Sequence, residues 1–174
     1  MKHWLWILLV IVLLVGCGPT LPPATPALED YALVAGDLPE GYRQTVEENS
    51  LQYLKLLVPE EARVGLTEAS AVGFEIGPGA GTIRSLLYAY ESETDAVAAF
   101  NTLQPSDNVQ ALPELGPEVY LHEPTGLQPE TVVTFRAGNV VGSVSASGQL
   151  SEGLADPRQL TAQLAAVILE RLGK

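Results

Sequence analysis

The chain is 174 residues long, 47% hydrophobic and carries a formal net charge of −12, with 21 acidic against 9 basic side chains. That is length for one domain of ordinary size and enough apolar material for a packed core, so a disordered chain is excluded. The acidity disfavours nucleic acid or anionic head groups as partners, because both are held through Lys and Arg; one cysteine and two histidines exclude an internal disulfide and a metal site built on a Cys/His cluster.

The first element is a leader. Met1, Lys2 and His3 form a short n-region with one firm positive charge, and Trp4 to Val15 form an unbroken apolar run. The run has signal-peptide length rather than the roughly 20 residues of a membrane-spanning helix. No A-x-A cleavage pattern follows it. Instead Leu14-Val15-Gly16-Cys17 resembles the lipobox of bacterial lipoproteins: a branched apolar residue, a β-branched one, a small one, then the cysteine. The resemblance covers the first 17 residues. It implies cleavage between Gly16 and Cys17, diacylglycerol on the Cys17 thiol, and acylation of the new amine as an option. Two acyl chains give stable anchoring where one holds only marginally. Loss of residues 1–16 removes Lys2 as the only formal charge, which leaves 8 basic against 21 acidic side chains, or −13.

Gly18 to Pro26 holds four prolines and one glycine in nine residues, a composition that forms neither a helix nor a central strand. Residues 17–26 are therefore expected to be a semi-extended tether, and residues 27–174 a single domain held off the bilayer. Leu28, Tyr31, Ala32 and Ala35 lie at helical spacing and predict a short helix ending at Gly36. A turn through Pro39 and Gly41 leads to a strand at Tyr42 to Val46. Ser50 to Val58 and the stretch after Pro59 read as helical, with Glu60 and Glu61 favouring a first turn.

Strands follow at Ala71 to Ile76 and Thr82 to Tyr90, separated by the glycine-rich Gly77-Pro78-Gly79-Ala80-Gly81. Ser92-x-x-Asp95 predicts a cap on a helix carrying Ala96, Val97, Phe100 and Leu103. A loop through Pro105 and Asn108 precedes a strand at Glu118 to His122. Thr131 to Arg136 and Val140 to Ala146 form a hairpin about Gly138-Asn139, which tolerate positive φ. Asp156 caps and Pro157 opens a C-terminal helix whose Leu160, Leu164, Ile168 and Leu172 recur every fourth residue. The fold class is α+β: an antiparallel sheet of about four to five strands with helices, including the C-terminal one, packed on one face. Two short segments, Asp37 to Tyr42 and Phe135 to Val141, resemble stretches of small exported bacterial domains of unassigned function. That resemblance agrees with the fold class and transfers no active residues.

Chemistry is sparse. The glycine-rich loop lacks the lysine of a phosphate cradle and reads as a hairpin loop. His122-Glu123 sets an imidazole beside a carboxylate, but neighbours on a strand face opposite sides. Glu47-Glu48, Glu60-Glu61 and Glu91-x-Glu93-x-Asp95 lack a calcium-loop frame and read as solvated faces and helix N-terminal charges. Arg84 and Arg136 lie in apolar strands, where pairing with a carboxylate is the default and an anionic ligand the alternative. Tyr53, Phe74, Tyr88, Tyr90, Phe100 and Phe135 read as core.

The expectation is a lipid-anchored extracytoplasmic binding or interaction module of the bacterial envelope. It sits on the membrane through diacylglyceryl Cys17 and takes a small molecule or another envelope protein, with no nucleic acid, no cofactor, no metal and no catalytic residue assigned. The alternative is an envelope hydrolase using His122 with a distant serine or carboxylate.

Overall fold

The computed structural model describes residues 26–77, 81–104, 108–123, 130–148 and 156–173. The leader, Gly16, Cys17, most of the tether and Pro78 to Ala80 lie outside these residues.

Seven strands form one antiparallel sheet: β1 (Arg43–Glu48), β2 (Leu66–Glu75), β3 (Thr82–Tyr90), β4 (Val109–Ala111), β5 (Val119–His122), β6 (Glu130–Ala137) and β7 (Val140–Ser147). Their spatial order is β1-β2-β3-β7-β6-β5-β4. Among the described residues three α-helices accompany it: α1 (Leu51–Leu54), α2 (Glu93–Leu103) and α3 (Pro157–Arg171). The α+β class and the C-terminal helix stand as expected, but the sheet is wider than the four to five strands read from periodicity. β4 is three residues long and pairs only with β5, through Val109↔His122 and Ala111↔Tyr120. So short a segment carries no alternation of its own and becomes a strand because β5 offers it an edge.

The expected placement of helices on one face does not hold. Phe74, Ile83, Leu87, Val133, Phe135 and Val144 share one face with Leu164 and Ile168 of α3 in a single core. Ala69, Ala71, Tyr88, Tyr90 and Val141 form a second core with Ala96, Ala99 and Phe100 of α2 and Leu54 of α1. The pleat explains the division. Consecutive residues point to opposite faces, so Leu86-Leu87-Tyr88 supplies apolar surface to both, and a strand apolar on both faces needs cover on both.

Local chemistry fixes the helix starts. Ser92 Oγ accepts the Asp95 amide at 3.1 Å and donates to the Asp95 carboxylate at 2.6 Å. Asp156 accepts from the Arg158 amide at 3.0 Å, with Pro157 in the first turn. The helix expected to end at Gly36 is instead two 3₁₀ turns, Leu28–Tyr31 and Ala35–Asp37. A carboxylate three residues along closes each one: Asp30 takes the Ala27 amide at 3.0 Å and Asp37 the Val34 amide at 2.8 Å. Short side-chain-capped turns compete with a helix too brief to pay its nucleation cost. Arg171 of α3 then clasps this segment, donating to the Ala32 carbonyl at 2.6 Å and to both Asp37 oxygens at 2.7 and 2.9 Å.

Two backbone features shape the sheet. Gly142 lies opposite Phe135, whose ring covers it so closely that a Cβ there would sit 2.3 Å from the ring. In β1 the register slips between Gln44 and Val46, a bulge that turns Val46 toward the α2 side, opposite Gly73. The β6–β7 turn docks on the end of β3: Asn139 Nδ2 donates to the Tyr90 carbonyl at 2.7 Å, and the Tyr90 amide donates to the Asn139 carbonyl at 2.9 Å.

Candidate functional site: an apolar groove with an unpaired arginine

On the α2 side, the helix covers only part of the sheet. Register places Val46, Gly73, Arg84, Ser145, Val132, His122 and Val109 in one row across β1, β2, β3, β7, β6, β5 and β4. At the β1–β3 end of this row lies a groove of about 290 Å³. Tyr53 and Leu57, from α1 and the turn after it, form one wall, and Val46 stands on β1; Gly73, Arg84 and Leu86 make the floor. Val46, Tyr53 and Leu57 are 48%, 57% and 56% exposed. Isolated exposed apolar residues need no explanation, but three lining one concavity do.

Gly73 is what keeps the floor low: a Cβ there would press on Val46 Cβ at 3.2 Å. Arg84 is exposed, and among the described residues it makes no ion pair or hydrogen bond. Glu48, the carboxylate on the groove lining, is already engaged, accepting the Ser50 amide at 2.7 Å.

The other named residues resolve differently. Arg136 takes the ion-pairing option: its Nε donates to Glu118 at 2.9 Å and its Nη1 to the Gly138 carbonyl at 2.6 Å. His122 and Glu123 are parted by the pleat. His122 falls in the groove's row between Val109 and Val132, while Glu123 reaches Arg158 at the start of α3, with Arg158 Nε donating at 2.9 Å. That hydrogen bond, and then the guanidinium charge, hold the Glu123 carboxyl below its ordinary range. The serine of the row, Ser145, lies two strands from His122, about 10 Å at ordinary strand spacing. Ser145 therefore lies out of hydrogen-bond reach of His122.

Three carboxylates of the acidic clusters have internal partners: Glu47 accepts from Gln44 Nε2 at 2.9 Å, Glu48 accepts the Ser50 amide at 2.7 Å, and Asp95 belongs to the α2 cap. Among the described residues no three His, Cys, Asp or Glu side chains group as a metal would need. Phe74, Tyr88, Tyr90, Phe100 and Phe135 are buried as expected, whereas Tyr53 is a groove wall and not core. A second cleft of about 490 Å³ runs between β4, β5 and α3. Of its charged residues Glu114, Asp156 and Arg158, the last two serve the α3 cap and the Glu123 pair.

No protein-family model and no curated protein matches the sequence. The fold is similar to a solved one. The extracellular domain of PknH from Mycobacterium tuberculosis superposes with a TM-score of 0.58 at 14% identity, covering 86% of this chain and 98% of that one. The likeness is one of architecture. No described helix is long and apolar enough to cross a membrane.

The ion pair expected by default for Arg84 does not form among the described residues, whereas that of Arg136 does. Sequence reading missed the groove. Val46 reaches it through a bulge and Gly73 through a cross-strand pairing, and neither event leaves a local signal.

Proposed function

We propose that this protein is a lipid-anchored binding module on the extracytoplasmic side of a bacterial membrane, and that its ligand is a small molecule held in the groove beside Arg84. Residues 1–16 direct export, Cys17 carries the acyl chains and residues 17–26 are the tether. The observation that carries the reading is the groove itself. Most large apolar side chains of the domain are sealed under helices, yet three stand exposed around an unpaired guanidinium. Binding sites combine such an apolar lining with a few polar groups that orient the ligand. Architectural likeness to a domain described as extracellular supports the compartment, and the acidic composition agrees with a domain held off an anionic bilayer.

Two measurements test the reading. The intact N-terminal peptide of the membrane-extracted protein is expected to begin at Cys17 with the mass of a diacylglyceryl group, and Cys17→Ala is expected to lose membrane retention. A peptide beginning at Met1 with unmodified mass overturns the anchor. Native mass spectrometry of protein purified from the envelope is expected to show a bound small molecule that Tyr53→Ser sheds. A ligand retained by Tyr53→Ser moves the site elsewhere, and a co-purified polypeptide in its place makes the partner another envelope protein.

A further inference from the structure

The groove has a chemistry that narrows its ligand, and this step rests on the groove being the binding site. Most described arginines are committed to the chain: Arg63 donates to the Val58 carbonyl, Arg136 to Glu118, Arg158 to Glu123 and Arg171 to Asp37. Arg84, like Arg43, is not, although the chain carries more than two carboxylates for every cation. Its strand position explains why. Its neighbours across the sheet are Gly73 and Ser145, neither of which offers a charge, and the carboxylate on the groove lining, Glu48, caps the Ser50 amide. An arginine fork without a partner beside an apolar trough suits a ligand with an anionic head and an apolar body.

We infer that the groove binds a small amphipathic carboxylate, with its head on the Arg84 guanidinium and its aliphatic tail lying along Gly73 and Leu86 between Val46 and Tyr53. The groove, about 290 Å³ and open to solvent on one side, suits a short aliphatic tail, for which an eight-carbon chain serves as the probe. Gly73 lets Val46 close over the sheet, since a Cβ there would meet the Val46 Cβ at 3.2 Å, and Val46 thereby forms one side of the trough. No bond is made or broken in this reading; the groove sequesters or presents the molecule.

The test uses the mature acylated protein in phosphatidylcholine nanodiscs, titrated calorimetrically with octanoate, octan-1-ol and acetate, with empty nanodiscs as reference. Octanoate is expected to bind at least tenfold more tightly than either of the other two. Arg84→Gln should weaken octanoate at least tenfold without moving octanol, and Arg84→Lys should recover part of the loss. Tyr53→Ser, at an exposed position that leaves the core intact, should weaken octanoate and octanol alike.

Equal binding of octanoate and octanol, with Arg84→Gln moving neither, overturns the anionic head and leaves the groove as the site. Equal binding of acetate and octanoate overturns the apolar tail. Binding by none of the three overturns the inference altogether, while the co-purified ligand of the native mass spectrum still decides whether the groove is occupied by something else. Thermal melts of each variant separate a lost contact from a lost fold.

Discussion

The two faces of the sheet share their strands and differ in how they are finished. Under α3, Phe74, Ile83, Phe135 and Val144 are all at 0% exposure. On the other face α2 seals Tyr88, Tyr90 and Val141, and the row from Val46 to Arg84 is left open. The difference lies in helix length as well as sequence. α3 runs 15 residues with an apolar residue at nearly every turn, whereas α2 has 11 and α1 only four. A long helix covers a sheet's central strands, while shorter ones leave surface over. The lesson is a division of labour: one face secures the fold, and the other spends part of its area on an exposed concavity.

Substitutions should separate the two faces by size of effect. The largest is expected under α3. Ile168→Ala removes a fully buried side chain and should cost about 2–5 kcal/mol by denaturant unfolding. A cost comparable to that of a surface change would break the comparison. Next comes Gly142→Ala on the same face, where the new methyl would lie 2.3 and 2.8 Å from Phe135 and Leu87. Displacing two packed side chains should cost about 1–3 kcal/mol.

The α2 face contributes a smaller and pH-dependent effect through Tyr90. Its hydroxyl donates to the Ala62 carbonyl at 3.0 Å. Burial, and then the neighbouring Tyr88, push its pKa up to about 12 from the ordinary 10.0. The folded state holds this proton after the unfolded state has released it, so the stability is fully present below pH 10 and declines as pH rises toward 12. Tyr90→Phe should cost about 1 kcal/mol at neutral pH, from the carbonyl left without its donor. It should also flatten the alkaline decline seen by circular dichroism, leaving the part due to Tyr88 and Tyr42, whose pKa values burial also raises. An unaltered alkaline profile would show that Tyr90 is not the group responsible.

Tyr53→Ser in the groove wall should change stability by less than about 0.5 kcal/mol, because the side chain is 57% exposed. Its effect belongs to binding. Smallest of all, Arg158→Gln should leave the melting temperature unchanged within error: the pair with Glu123 is solvent-exposed on both sides, and such pairs are screened. A measurable drop would give the 490 Å³ cleft beside it a structural role.

Several elements were legible because their signals are local. Ser92 and Asp95 cap α2, Asp156 and Pro157 open α3, and Gly138-Asn139 joins β6 to β7, each within a few residues. The lipobox-like Leu14-Val15-Gly16-Cys17 is of the same kind, a pattern read residue by residue along the chain. By itself the sequence thus determined the α+β class, the C-terminal helix and the central hairpin, and it is the ground on which an anchor at Cys17 is proposed.

Only the tertiary structure decided that the sheet has seven strands, that helices cover both faces, and that Val46, Gly73 and Arg84 meet. β4 exists because β5 lends it hydrogen bonds, and the groove exists because a bulge in β1 turns Val46 to the face that α1 and α2 leave partly bare. These depend on pairing between residues tens of positions apart, and the free energy of such contacts is set by what lies opposite rather than by neighbours along the chain.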